Sequence, residues 1–597
     1  MRVHRISGLV LSAIAFSAPV FAQETADAVA PEGATEGQVQ ALTAEVIAAL
    51  EAKTNGVPVQ SENWMVAAAN PLAVEAGARV LRAGGSAADA MVAVQVVLGL
   101  VEPQSSGLGG GAFLVWYDAG SGQLTTLDGR ETAPLAATPT LFQDEKGEPL
   151  QFFDAVVGGL SVGTPGTPAL LEEAHRRWGR SPWPGLFTDG IRLADEGFLV
   201  SPRLAGMVAS DAERLSRFPA TADYFLPEGE PLQQGQRLMN PDYAETLRAL
   251  AAQGSAGFYG GEIAADIVRT VRTAPGNPGV LSGTDLALYQ VIQRDPVCTA
   301  YRTYEVCGMG PPSSGALTVG QILGMLNSYD LAAMGPDSMQ AWRLIGEASR
   351  LAFADRGRYM ADSDFVPMPT AGLVDPDYLA QRAELLNAEG ALTEVAPGNP
   401  EFDHAFNWAD DESLELPSTS HISIVDSYGN VLSMTTTIEN GFGSRLMTNG
   451  FLLNNELTDF SFRTHRDGVP IANRLEPGKR PRSSMSPTIV MQDGAPVLAI
   501  GSPGGSRIIG YVAKSIIAWA DWGMDVQQAV SLPHLVNRFG TYDVELDTAA
   551  EGYADALAEI GFEVNPRDLT SGLHAIEIGE GLSGGADHRR EGIALGE

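Results

Sequence analysis

In NPLAVEAGARVLRAGGSAADAMVAVQVVLGLVEP, which begins at Asn70, apolar residues recur at helical spacing on both sides of a Gly-Gly break, predicting two packed helices. The stretch SSGLGGGAFLVWYDAGSGQLTTLDGRETAP then switches to strand, turn, strand. From LSVGTPGTPALLEEAHRRWG to about residue 390 the pattern is mainly helical, with capping residues and loops rich in Pro and Gly. The polar, acidic APGNPEFDHAFNWADDESLELPS, residues 396–418, predicts a flexible approach to an abrupt strand start. Beyond it, strand and helix signals continue through LHAIEIGE, consistent with mixed α/β layers.

The strand start has a period of two. Ile422 and Ile424 point to one face, and His421, Ser423 and Val425 to the other. VLSMTTTI reads the same way, and Ser427-Tyr428-Gly429 between them suit a three-residue loop with Gly where positive φ is favoured. A hairpin centred on Tyr428 sets Thr419 opposite Thr437, their Cβ atoms roughly 5 Å apart and their hydroxyls within bonding reach. Threonine suits strands, so the pair reads plainly as sheet decoration. It also reads as chemistry: Thr419 freed as a chain terminus would carry an α-amine, titrating near ~8, as base for its own hydroxyl. The same reasoning applies to PVCTAYRTYEVCGMG, where a turn at Arg302-Thr303 sets Cys298 opposite Cys307, placed for a disulfide; two free buried thiols are the alternative.

Composition narrows the class. The 597 residues, 44% hydrophobic and 19% charged, suit a globular protein with a substantial core. A formal charge of −35 argues against a nucleic-acid partner, which would need a basic face. MRVHRISGLVLSAIAFSAPVFAQ runs from a basic start through an apolar segment to Val20-Phe21-Ala22, which predicts an export signal, residues 1–22, cut after Ala22. A membrane anchor is the alternative, disfavoured by the short run and by Pro19; no later segment is long and apolar enough to span a bilayer. An exported, periplasmic or extracellular protein is expected. Residues 23–60, rich in Ala, Glu and Thr, predict a linker or loosely docked arm with one possible helix in EGQVQALTAEVIAALEA.

Several motif formulas fail on context. Gly107 to Ala112 lack the strand before and the helix after that a dinucleotide fingerprint requires, so a tight turn between close backbones is expected instead. Gly581-Leu582-Ser583-Gly584-Gly585 fits the serine-hydrolase elbow, but no helical pattern follows. Eight histidines lie scattered without metal-ligand spacing, so no metal site is expected.

Thr419-Ser420-His421, TTTIE, NNELTDF, KRPRSSMSPT, GSPGGSRII, DGRETAP and PPSSGALTVGQIL together resemble the γ-glutamyltransferases (glutathione hydrolases), self-processing N-terminal nucleophile hydrolases, from about residue 62 to the C-terminus. The resemblance implies an α/β fold, a four-layer αββα sandwich in which a large subunit (61–418) and a small one (419–597) interleave as a heterodimer. It implies cleavage between Ser418 and Thr419, then attack by Thr419 on γ-glutamyl amides such as glutathione, with water or amino-acid and dipeptide acceptors and no cofactor. Thr437 would bond to Thr419, and the backbone N–H groups of Gly504 and Gly505 would stabilise the oxyanion. Arg130, Ser483 and Ser484 would take the substrate carboxylate, and Glu439, Glu456 and Asp459 its ammonium.

Three departures stand out. Glu439 occupies a position where many members have Asn, FSFRTHRDGVPIANRLEPG differs from the best-known bacterial lids, and Arg482 stands where Leu is usual. Arg482 either adds charge near the donor site or faces solvent. Rival readings are an amidase of the cephalosporin (glutaryl) acylase type and a non-catalytic binding protein of the same fold.

Overall fold

The computed structural model describes residues 42–404, 407–411, 413 and 415–597. The expected export signal and residues 23–41 lie outside the described residues. Among the described residues no helix is long and apolar enough to cross a membrane.

Two seven-stranded antiparallel sheets form the centre. The first runs, in spatial order, Ile593–Gly596, Met65–Ala68, Ser420–Val425, Val431–Thr437, Gly111–Asp118, Gln123–Gly129 and Ile292–Arg294. The second runs Val59–Ser61, Leu582–Ala586, His574–Ile578, Ala495–Gly501, Thr488–Gln492, Tyr304–Gly308 and Val297–Tyr301. Both sheets contain strands from before and after Ser418, as the interleaved αββα sandwich requires.

The layers follow from which faces are apolar. Met65, Val115, Val425 and Val431 of the first sheet pack against Cys307, Ile489, Ala499 and Ile576 of the second. On the first sheet's outer face Val66, Leu114, Ile422 and Ile424 meet the helices Pro71–Arg82 and Ala87–Val101. On the second sheet's outer face Val490, Leu498 and Ile500 meet the helices Gly315–Leu326, Met339–Tyr359 and Ile508–Ala520. The two helices read from the sequence are capped as their residues suggest: Asn70 accepts the Leu72 N–H, and Ser86 forms a capping box with Asp89.

Strand Ser420–Val425 is buried on both faces. His421 and Ser423 therefore lie between the sheets and must find partners there. His421 Nδ1 meets Thr435 Oγ1 at 2.9 Å and Nε2 meets Ser423 Oγ at 3.0 Å, while Ser423 and Ser433 donate to the carbonyls of His574 and Ile500 across the gap. Burial, with His574 nearby, holds the His421 pKa well below its ordinary value, so the ring stays neutral.

Both sequence-derived registers hold. Ser420 pairs with Thr436, continuing to Thr419 and Thr437, and Gly429 takes φ +82° in the loop. Cys298 pairs with Cys307 and their sulfurs are bonded. The glycine turn is also one of close approach: a Cβ on Gly110 would collide with the Thr437 carbonyl oxygen.

Two expectations need correction. The described end of the supposed linker is a docked helix, Ala44–Thr54, with Val46 and Ala49 buried, followed by the paired strand Val59–Ser61. Its Ala-rich composition hid a packed face. The approach to Thr419 is not loose at its end either, since Asp411, Glu415, Leu416 and Ser418 are buried. Their charges read as solvated only because the arginines that neutralise them lie elsewhere in the chain.

Candidate active site

Thr419 lies just before the strand Ser420–Val425, 4% exposed, with φ at +120°. Its Oγ1 is 3.1 Å from Thr437 Oγ1, which also accepts the Glu439 N–H at 2.9 Å. With one acceptor site used, the Thr437 hydroxyl can still exchange a hydrogen bond with Thr419. The Ser418 hydroxyl donates to the Gln104 carbonyl at 2.7 Å, and Arg590 Nη1 donates to the Thr419 carbonyl at 2.9 Å.

These threonines line a small buried cavity with Arg130, Glu439, Glu456, Asp459, Ser483 and Gly505. Arg130 follows the strand Gln123–Gly129 and is 1% exposed. Its guanidinium reaches Glu456, Asp459 Oδ2 at 2.5 Å and the Pro481 and Arg482 carbonyls. Burial works against its charge, but the two carboxylates hold its pKa above the ordinary value. Burial in turn raises Glu456 and Asp459 well above the usual carboxylate range despite Arg130, because neighbouring acids crowd them. Asp459 Oδ1 has no hydrogen-bond donor. Burial pushes Glu439 up to about 7, opposed by the Asn455 amide and the Leu416 N–H that its carboxylate accepts.

The remaining expected residues divide. Ser483 Oγ accepts the Met485 N–H at 3.1 Å, leaving its proton available to the cavity it lines. Ser484 does not line the cavity; its Oγ accepts Arg356 Nη2 at 2.8 Å. Gly504 and Gly505 take φ of +136° and +58° at the turn leading into the helix Ile508–Ala520, a place where backbone N–H groups lack helical partners. A Cβ on Gly505 would collide with the Glu415 carbonyl oxygen, so the segment before Ser418 lies directly on this turn.

That segment was missed as part of the site. Glu415 and Leu416 line the cavity, the Ser506 N–H donates to the Glu415 carbonyl, and Arg356 pairs with the Glu415 carboxylate. Arg482 is fully buried and bonds Asp411 Oδ2 at 3.0 Å, so the solvent-facing reading of this departure falls. Burial, then the charge of Arg482, lowers Arg356 to about 10. The segment after Asp459 carries a small hairpin, His465–Arg466 with Val469–Pro470, and is tied back by Asn473, whose amide donates to the Asp459 carbonyl. Among the described residues no cluster of His, Cys, Asp and Glu could hold a metal ion.

A hydroxyl pair, a glycine turn with positive φ and a buried cation facing three acids together suit acyl transfer from a small zwitterionic donor. Comparison with known proteins agrees in kind. The family profile described as Gamma-glutamyltranspeptidase matches residues 73–597. The chain is 38% identical over 550 residues to a glutathione hydrolase proenzyme of Bacillus subtilis (strain 168), covering 90% of this chain and 92% of that one. It is 34% identical over 549 residues to the acylase ACY 1 proenzyme of Pseudomonas sp. (strain V22), covering 90% and 94%. The crystal structure of cephalosporin acylase from Bacillus halodurans superimposes with a TM-score of 0.79 at 25% identity, covering 90% of this chain and 97% of that one. The chain belongs to the gamma-glutamyltranspeptidase family.

Proposed function

We propose that this protein is an exported, self-processing γ-glutamyltransferase. The Thr419 hydroxyl attacks the Ser418 carbonyl carbon; the Ser418–Thr419 C–N bond breaks as the acyl group moves to oxygen. Water then hydrolyses that ester, leaving a Ser418 carboxylate and a free Thr419 α-amine. In turnover the amine takes the hydroxyl proton as Oγ1 attacks the γ-carbonyl of glutathione or another γ-glutamyl amide. It returns that proton to the departing amine, and water or an amino-acid or dipeptide acceptor takes the acyl group from Thr419. Thr437 holds the attacking oxygen, and the N–H groups of Gly504 and Gly505 receive the oxyanion.

The observation that carries this reading is the pairing of Thr419 with Thr437 in a cavity where Arg130 faces Glu439, Glu456 and Asp459. Arg130 is paired with Glu456 and Asp459 in the uncut chain. A donor carrying both an α-carboxylate and an α-ammonium can replace each partner with its opposite, so no charge is left unpaired.

The acylases among the relatives support a second reading, in which the acyl group is a glutaryl chain without an ammonium. Release of the aniline from γ-glutamyl and glutaryl anilides, with and without a dipeptide acceptor, separates the two. The γ-glutamyl anilide is expected to react about 100-fold faster in kcat/KM, because the glutaryl chain lacks the ammonium that would pair with the buried acids. A glutaryl preference would replace the transferase reading with the acylase one.

A further inference from the structure

The helix Ala44–Thr54 precedes the residues matched by the family profile, which begin at 73. It packs against the C-terminal strand Ile593–Gly596, and near its end Lys53 Nζ donates to the Arg590 carbonyl at 2.6 Å and the Gly592 carbonyl at 2.7 Å. A lysine spanning two carbonyls fixes that stretch of backbone. From it the Arg590 side chain, 2% exposed, reaches the Thr419 carbonyl. The helix Ala44–Thr54 is thus linked, through the backbone at Arg590, to the residue on which the chemistry depends.

Thr419 needs such a hold. Its φ of +120° is a conformation that an L-residue with a branched Cβ adopts only when its surroundings impose it. In the uncut chain three bonds impose it: Ser418 Oγ to the Gln104 carbonyl, Thr437 Oγ1 to Thr419 Oγ1, and Arg590 to the Thr419 carbonyl. Cleavage before Thr419 would uncouple the first from it. Strand pairing begins only at Ser420, so Thr419 would become a chain end, and chain ends fray unless tied down. The bond to its carbonyl would then be the remaining tie on its backbone.

Arg590 is also held in charge balance. The buried Glu102 interacts electrostatically with the Arg590 guanidinium, and Arg203 and Glu591 interact with Glu102 in turn. A buried guanidinium facing an acid, with one donor aimed at a backbone carbonyl, is a fixed post.

We propose that Arg590 is a positioning residue for Thr419, and that the helix Ala44–Thr54 acts through Lys53 to keep it in place. The proposal rests on the reading of Thr419 as the nucleophile. It gives the helix Ala44–Thr54 a part in turnover although Lys53 does not line the cavity.

The test uses the full-length chain with Arg590→Met, Arg590→Lys and Lys53→Met. Conversion to two subunits is followed by mass, and kcat and KM for a γ-glutamyl anilide are referred to the amount of cut protein. For Arg590→Met, slower conversion and a fall in kcat of about 100-fold with KM within about twofold are expected, since an ångström of misplacement costs that much. Arg590→Lys, keeping a donor and a charge, regains at least about tenfold of the loss, and Lys53→Met loses about three- to tenfold in kcat. Wild-type kcat in Lys53→Met and in any Arg590→Met that folds overturns the proposal. So does a loss that appears only in KM or that lysine does not rescue. If Arg590→Met fails to fold, Lys53→Met decides alone. Wild-type release that depends on Thr419 keeps the proposed function in place whatever these variants do; release that survives Thr419→Ala removes that function itself.

Discussion

At the residue scale, the buried acids of the cavity make the site's stability depend on pH. Glu439 has a folded pKa of about 7 against an ordinary value of 4.5, raised by burial. The folded chain therefore binds this proton more tightly than the unfolded one. The stability it contributes is fully present below about 4.5 and is lost as pH rises through about 7. In a Thr419→Ala background, the melting temperature of the parent is expected to fall relative to that of Glu439→Gln between pH 5 and pH 8. Glutamine can still accept from Leu416 and Asn455 but does not titrate. A gap between the two that stays constant across this range would contradict the assignment of the shift to Glu439.

Elements explain what could be read without a structure. Thr419 with Thr437, and Cys298 with Cys307, were legible because each pair belongs to one hairpin whose turn residues set the register. The alternation in HISIVD was legible too, but not that both faces are buried, because a strand's surroundings come from the rest of the chain. Arg356 with Glu415, Arg482 with Asp411, and Arg590 with Thr419 lie 59, 71 and 171 residues apart, and no local pattern records them. For that reason the acidic approach to Thr419 read as loose when its last residues are neutralised and buried. The helix Ala44–Thr54 lay within the stretch read as a possible helix, but its docking was hidden in the same way, since the strand Ile593–Gly596 it packs against lies at the other end of the chain.

The disulfide belongs to this scale. It joins the edge strand Val297–Tyr301 to Tyr304–Gly308 across a separation of nine residues, and neither cysteine lines the cavity. Closing so short a loop stabilises by about 2–3 kcal/mol in the chain-entropy account. A Cys298→Ser, Cys307→Ser protein is therefore expected to melt lower while keeping kcat for a γ-glutamyl anilide. A lowered kcat at unchanged stability would mean that the hairpin acts on the site.

For the whole molecule, the sharing of both sheets by strands from either side of Ser418 has a mechanical consequence. A cut at that bond would leave two chains sharing both sheets and the core between them, so they should stay together until both unfold. All the chemistry proposed here turns on that one bond. The most direct measurement is the intact mass of the purified protein and of Thr419→Ala, with anilide release assayed on the same samples. Two co-eluting chains are expected for the wild type, the smaller beginning at Thr419 and the pair releasing aniline from the γ-glutamyl anilide. Thr419→Ala should remain one uncut, silent chain. A wild type that turns over uncut, or a Thr419→Ala protein that is cut and active, would contradict it.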